Sequence, residues 1–144
     1  FFSHVWKSGM QREVEVPPGL EIRGDANQFT QVFINLVQNA IDAMEGKTYP
    51  EGVPPCIRIH GEKRRDKVVF TLRDNGPGIP ATVRDKIFDP FFTTKDVGKG
   101  MGLGLSICNR IISDHGGRVE VRSEPGQFTE FILEFPSAES PDFN

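Results

Sequence analysis

The sequence predicts an α+β fold in two layers, a mixed and mostly antiparallel sheet covered on one face by helices. Three observations carry that prediction. Short segments with period-two alternation are joined by turn residues, as 57–63 and 68–74 are across Arg64, Arg65 and Asp66. Two longer segments, 26–44 and 102–115, have apolar residues at helical spacing. Hairpins and helices interleave in a chain of 144 residues with 37% hydrophobic content, which suits one core and leaves little room for a second.

Taken in order, 13–16 and 20–23 read as short strands around Pro17, Pro18 and Gly19. Neither proline can donate to a ladder and the glycine permits a turn, so an edge hairpin is expected. Asp25 offers an N-cap to the first long helix, and Gly46 offers its stop. Residues 50–55 form a loop before the second hairpin, and Pro80 suits the first turn of a short helix. From about Asp89 to Met101 the chain is rich in Gly, Lys and Thr without periodicity, the signature of a mobile lid. Gly116 and Gly117 end the second long helix, 118–123 and 128–135 read as the last strands, and 137–144 as a frayed tail. The expected organisation is an N-terminal segment at 1–11, a domain at 12–136 and the tail. The chain opens on Phe1 without an initiator Met, so it is expected to be cut from a longer protein, with 1–11 leading in from another domain.

A net charge of −3 with basic residues scattered along the chain gives no electrostatic footprint for nucleic acid or an anionic membrane, so neither partner is expected. No apolar run approaches the roughly 20 residues that span a bilayer. Cys56 and Cys108 stand far apart without a CxxC partner, which argues against a disulfide framework or a zinc site and points to a reducing cytoplasm. Both read as buried small hydrophobes. Trp6 is expected to pack the N-terminal segment.

On a helical wheel, Gln28, Gln31, Gln38, Asn39 and Asp42 fall within about 60° of Asn35. The rest of that helix is apolar, from Val32 and Phe33 to Ala43 and Met44, so it is packed over most of its circumference. The stripe is either a solvated face or the lining of a polar cavity. Asparagine is a mediocre helix former, and amide oxygens at i and i+4 can ligate a hard cation while their NH₂ groups donate to phosphate oxygens.

Asp74, Asn75, Gly76, Pro77 and Gly78 follow a strand directly. They form either an ordinary turn or a strand end presenting a carboxylate to a pocket. Such a carboxylate accepts from the exocyclic amine of adenine and rejects guanine, which carries a carbonyl there. Gly98, Gly100, Gly102 and Gly104 alternate with other residues and run into a helix, leaving N–H groups free for an anion and making the segment flexible. The dinucleotide fingerprint fails because its third glycine position is Leu105. Gly46, Lys47 and Thr48 mimic the end of a P-loop, but the required first glycine falls on Ile41.

Four segments in order resemble the boxes of sensor histidine kinases: Asn35-Leu-Val-Gln-Asn39-Ala-Ile-Asp42-Ala, Asp74-Asn-Gly-Pro-Gly78-Ile, Phe88-Asp-Pro-Phe-Phe-Thr-Thr-Lys95 and Gly100-Met-Gly-Leu-Gly104-Leu. The resemblance spans about 25–136 and implies the Bergerat ATP-binding sandwich, with ATP and Mg²⁺ as ligands. It implies that Asn39 ligates Mg²⁺, that Asn35 supports metal and phosphates, and that Asp74 accepts from the adenine amine. Gly76 and Gly78 would admit the base. Gly100, Gly102 and Gly104 would lie near the phosphates, with Lys95 or Lys99 as phosphate contacts unless they are merely solvated. The matched boxes also bring Asp42, Ile79, Phe88, Thr94, Leu103 and Leu105 into the expected nucleotide site. The last glycine box departs from the pattern, with Phe128 where a second glycine is common, yet Thr129 still fits the position that closes on adenine.

Hydrolytic relatives carry a glutamate at position 35, one turn before the metal-binding asparagine. Asn35 cannot take a proton at neutral pH, whereas transfer to a neutral imidazole needs no such base. The expected activity is therefore transfer of the γ-phosphate to a histidine on a separate dimerisation and phosphoacceptor domain, with a response regulator downstream. None of His4, His60 and His115 is followed by the acid of a phosphoacceptor motif. His60 reads as a strand residue and His115 as a helix C-terminal residue favoured by the macrodipole. A serine-directed kinase of the same fold and a nucleotide-sensing module without transfer activity are the competing readings.

Overall fold

A computed structural model describes residues 9–89 and 102–138. Along the chain these form β1 (Gln11–Glu15), α1 (Ala26–Glu45), β2 (Cys56–Arg64), β3 (Lys67–Asp74), α2 (Ala81–Arg84), α3 (Gly102–Asp114), β4 (Arg118–Glu124) and β5 (Phe128–Pro136). The described strands make one sheet in the order β1-β2-β3-β5-β4, in which β1 and β2 are parallel and every other pair is antiparallel.

Helix α1 starts where the sequence offers a cap. Asp25 accepts from the N–H groups of Asn27 and Gln28 at 2.8 and 3.3 Å, satisfying donors that a first turn leaves open. Gly46 ends it by donating to Ala43 O at 3.2 Å. Val32, Leu36, Val37, Ala40, Ile41 and Met44 are buried against Ile57, Ile59, Leu72, Phe131, Leu133 and Phe135 of the sheet and Cys108, Ile111 and Ile112 of α3. Because side chains alternate across a strand, the residues between those core positions point the other way. There Glu13, Arg58, Arg73, Glu130 and Arg122 lie opposite one another across all five strands. Arg58 meets Glu13 at 2.9 Å, while Arg73 and Arg122 flank Glu130 at 3.7 and 3.5 Å. One face therefore carries the core and the other an ordered set of charges, as antiparallel sheets allow.

The expected N-terminal hairpin does not form. Strand β1 pairs in parallel with β2, from Gln11 opposite Cys56 to Glu15 opposite His60, and 20–23 carries no ladder. A parallel pair needs a long crossover, and α1 supplies it. The alternation at 20–23 has another cause: Leu20 packs beside Gly61, and Ile22 rests against the core. The tail differs at its start. Ser137 is 3% exposed and donates its N–H to Asp66 O at 2.8 Å, and Ala138 donates to Glu21 O at 2.9 Å. Residues 139–144, like Trp6 and His4, lie outside the described residues. Cys108 is buried as expected, whereas Cys56, at the start of the second strand from the edge, is only half-buried.

His115 joins the two long helices. Its Nδ1 lies 2.7 Å from Ile111 O and its Nε2 accepts from Asp25 N–H at 3.3 Å, which assigns the proton to Nδ1. The ring also meets Phe29 at 4.5 Å between centroids. Gly24, at φ +149°, makes this possible, since a Cβ there would run into the His115 ring and within 2.8 Å of Phe29. Gly24→Ala is expected to destabilise the domain by about 2–4 kcal/mol through that overpacking, read as a lower urea midpoint at unchanged slope.

Candidate functional site

At the end of β3 the chain presents Asp74, which is 3% exposed and lies opposite Thr129 of β5 in the ladder, itself 6% exposed. Sequence reasoning placed both at one end of a pocket, and the sheet register makes them neighbours. Asp74 Oδ1 accepts from Gly76 N–H at 2.8 Å. Burial pushes the carboxyl from its ordinary 3.8 up to about 6, opposed by that hydrogen bond and by the nearby Lys47 cation. A carboxylate kept poorly solvated at a strand end is suited to accept a hydrogen bond from a ligand.

The two glycines of this loop serve different ends. A Cβ on Gly76 would sit 2.7 Å from Asp74 Oδ1 and 3.3 Å from Met44 Cγ, so the position is confined between the carboxylate and the last turn of α1. Gly78, at φ +74°, would instead strike Glu124 O at 2.6 Å. Its role is close packing against the β4–β5 turn. That turn is fastened to the loop, with Gly126 N–H donating to Pro77 O at 2.6 Å and Ile79 N–H to Ser123 Oγ at 2.6 Å. Ser123 Oγ in turn donates to Phe128 O at 2.9 Å.

Phe128, where the resemblance leads one to expect glycine, begins β5 in extended conformation. Its ring lies on the charged face of the sheet, 3.9 Å from the Arg73 guanidinium. The turn is carried by Gly126 alone, at φ +81°.

The Asn75 side chain is turned towards the start of β2. Its Oδ1 accepts from Cys56 N–H at 2.8 Å and its Nδ2 donates to Pro54 O at 3.0 Å, tying the loop to the start of β2. The turn reading of this segment is thus carried by Asn75, while Asp74 is left buried at the strand end.

Helix α1 runs the length of the site. Met44 stands at the Asp74 loop, Asn39 lies about 7.5 Å back along the axis, and Asn35 about 6 Å further. Both asparagines are half-buried. Cys108 of α3 donates to Val32 O at 3.7 Å, and burial pushes its thiol up to about 11, opposed by the nearby Asn35 amide. Asp42 accepts from Gln38 Nε2 at 2.9 Å, an i, i+4 pair within the stripe. Ile79, Phe88 and Leu105 are half-buried against the core, with Phe88 edge-on to Phe131 at 6.2 Å. Gly102, Leu103 and Gly104 form the first turn of α3. Thr94, Lys95, Lys99 and Gly100 lie outside the described residues, as does most of the expected lid.

Three residues of the site were not anticipated. Lys47 Nζ donates to the carbonyls of Asn75, Gly76 and Gly126 at 3.0, 3.2 and 3.1 Å. Tyr49 donates to Asn75 O at 3.0 Å, its hydroxyl pKa raised by burial and then by Asp74. Ser123 is the third. Lys47 stood out only as part of a failed P-loop match and the other two not at all, because the groups they bond come from other parts of the chain.

The histidines sit elsewhere. His115 has both ring nitrogens engaged between the long helices. His60 lies on the charged sheet face, 3.6 Å from Glu15 and 3.9 Å from Glu62. Among the described residues no helix is long and apolar enough to cross a membrane.

Residues 24–139 match the model of the histidine kinase-, DNA gyrase B- and HSP90-like ATPases. The chain is 41% identical over 139 residues to Sensor kinase CckA of Brucella abortus (strain 2308), a match covering 89% of this chain and 15% of that protein. The chain thus spans less than two thirds of that relative's length. The catalytic domain of histidine kinase ThkA superposes with a TM-score of 0.73 at 38% identity, covering 89% of this chain and 79% of that one. ThkA in complex with response regulator protein TrrA gives 0.70 at 36% identity, covering 90% of this chain and 34% of that one.

Proposed function

The chain belongs to the histidine kinase-, DNA gyrase B- and HSP90-like ATPase family and is built as a histidine kinase catalytic domain, and from that premise we propose that it binds Mg²⁺-ATP and delivers the γ-phosphate to a histidine of a separate dimerisation and phosphoacceptor domain. The observation that carries this reading is the buried Asp74, paired in register with Thr129 and set beside the side-chain-free Gly76 at the base of α1. A response regulator would then receive the phosphate, as the ThkA complex with its regulator suggests by analogy. Cytoplasmic placement of the domain follows from the same role.

In this reading Asp74 accepts from the exocyclic amine of adenine, and Thr129 closes on the base beside it. Asn39 supplies an amide oxygen, which fits a Mg²⁺ ion that keeps most of its shell in water and phosphate oxygens. When bound, Mg²⁺ would draw charge from the phosphate oxygens. Asn35 stands beside Cys108 of α3, and its amide takes up no proton, so water is not activated there. Gly102, Leu103 and Gly104 would offer the N–H groups of the first turn of α3 to the phosphates, and the resemblance adds Gly100, Thr94, Lys95 and Lys99 to the nucleotide site. An imidazole nitrogen lone pair from the partner attacks the γ-phosphorus, the bond to the β-γ bridging oxygen breaks, ADP leaves, and the imidazole gives up its proton.

Mixing the chain with γ-labelled ATP, Mg²⁺ and a dimerisation domain bearing a His-Glu motif is expected to place acid-labile label on that domain. Phosphoserine would support the serine-directed reading, ATP binding without transfer would support a sensing module, and label on His60 or His115 would overturn the division of roles.

A further inference from the structure

Lys47 stands just after the Gly46 stop of α1, and its ammonium is committed to three backbone carbonyls. Two belong to the loop after β3, Asn75 and Gly76, and the third to the β4–β5 turn, Gly126. An ammonium has three donors, and all three are spent. The lysine thereby ties α1, which carries Asn39, to both backbone segments that flank Asp74 and Thr129. Tyr49 adds a second bond to Asn75 O, and the Lys47 cation lies 5.0 Å from its ring centroid.

We propose that Lys47 is a positioning residue for base recognition, holding the Asp74 loop and the Gly126 turn at the spacing an adenine requires and keeping the Asp74 carboxyl ready to accept. The inference rests on the nucleotide reading above. It assigns the lysine to the base end of the site, whereas the P-loop mimicry of Gly46-Lys47-Thr48 would assign it to phosphate. The geometry favours the base end, because a Lys47 that reached for phosphate would abandon three carbonyls. Around Asp74, Met44 beside Gly76, Ile57 of β2 and Thr129 of β5 carry no charge, and the Tyr49 phenol, whose pKa burial and then Asp74 raise, carries no positive charge. Among the described residues, Lys47 is the cation that opposes the burial of that carboxylate.

The test is calorimetric titration of the chain with Mg²⁺-ATP and with ADP from pH 5 to 8, for the wild type, Lys47→Met, Lys47→Gln and Lys47→Arg. Lys47→Met is expected to weaken ATP and ADP alike by about tenfold, the size of one lost charged tether. The pH at which binding is half lost should rise by about half a unit or more, since Asp74 loses its cation. Lys47→Arg should restore both, and Lys47→Gln, which keeps donors without charge, should retain part of the affinity but show the raised midpoint. A lysine that only stabilises the fold would lower the melting temperature of Lys47→Met while the folded protein bound ATP with wild-type affinity and midpoint, which would overturn the proposal. A loss confined to ATP, with ADP unchanged, would overturn it in favour of a phosphate contact. Should Lys47→Met fail to fold, Lys47→Gln decides, and a wild-type midpoint in that variant refutes the role. Failure of the wild type to bind any adenine nucleotide would instead remove the nucleotide reading itself.

Discussion

Asp74→Asn is expected to stabilise the nucleotide-free domain by about 2 kcal/mol at pH 7.5 while weakening ATP binding by about 30-fold or more. The two effects have one origin. In the folded protein the carboxyl titrates at about 6 against an ordinary 3.8, so the fold binds its proton more tightly than the unfolded chain does. The stability this confers is fully present below 3.8 and is lost as the pH rises through about 6. At neutral pH the domain carries a buried charge whose cost a neutral amide removes. On the proposed reading binding suffers because a carboxylate has two acceptor oxygens, one that takes Gly76 N–H and one that would take the adenine amine, whereas an amide has one and must turn its NH₂ on a donor. Urea unfolding at pH 7.5 and pH 4 checks the first part, since the gain should shrink towards the lower pH. An equal gain at both would mean that no buried charge is being relieved.

Asn39→Ala is expected to abolish the dependence of ATP affinity on Mg²⁺, with at least a tenfold loss of Mg²⁺-ATP binding and a larger loss of phosphotransfer. Alanine is the better helix former, so α1 should persist and circular dichroism should be unchanged. A Mg²⁺ titration of ATP binding separates the alternatives left open by the helical wheel. A stripe that is merely solvated would give the variant normal affinity at every Mg²⁺ concentration.

Much of this was legible in the chain, and the unread part has a common cause. The Asp25 cap, the Gly46 stop, the β2–β3 hairpin and the glycine end of α3 are local devices, and each falls where its residue type predicts. Asp74 and Asn39 were visible as residues out of character with their surroundings, a carboxylate at a strand end and an amide inside a packed helix. Strand β1 was misread because alternation reports which face a residue takes and says nothing of which strand lies alongside. Lys47 and Ser123 were missed for the same reason. The carbonyls held by Lys47 lie 28, 29 and 79 residues further along the chain, and that for Ser123 belongs to the far side of a turn.

The parallel docking of β1 also bears on how the domain opens. All five of its residues are exposed, and it sits at the edge of the sheet, where β2 is its one ladder partner among the described strands. Detaching it uncovers little apolar surface and leaves the four antiparallel strands and their helices joined as before. Among the described strands it is therefore the one expected to open most readily, with amides that exchange with solvent long before those of β3 and β5. Its departure bares the β2 backbone, an edge guarded by Arg58, Lys63 and Arg64, the charged side chains that discourage a foreign strand from taking the vacated place.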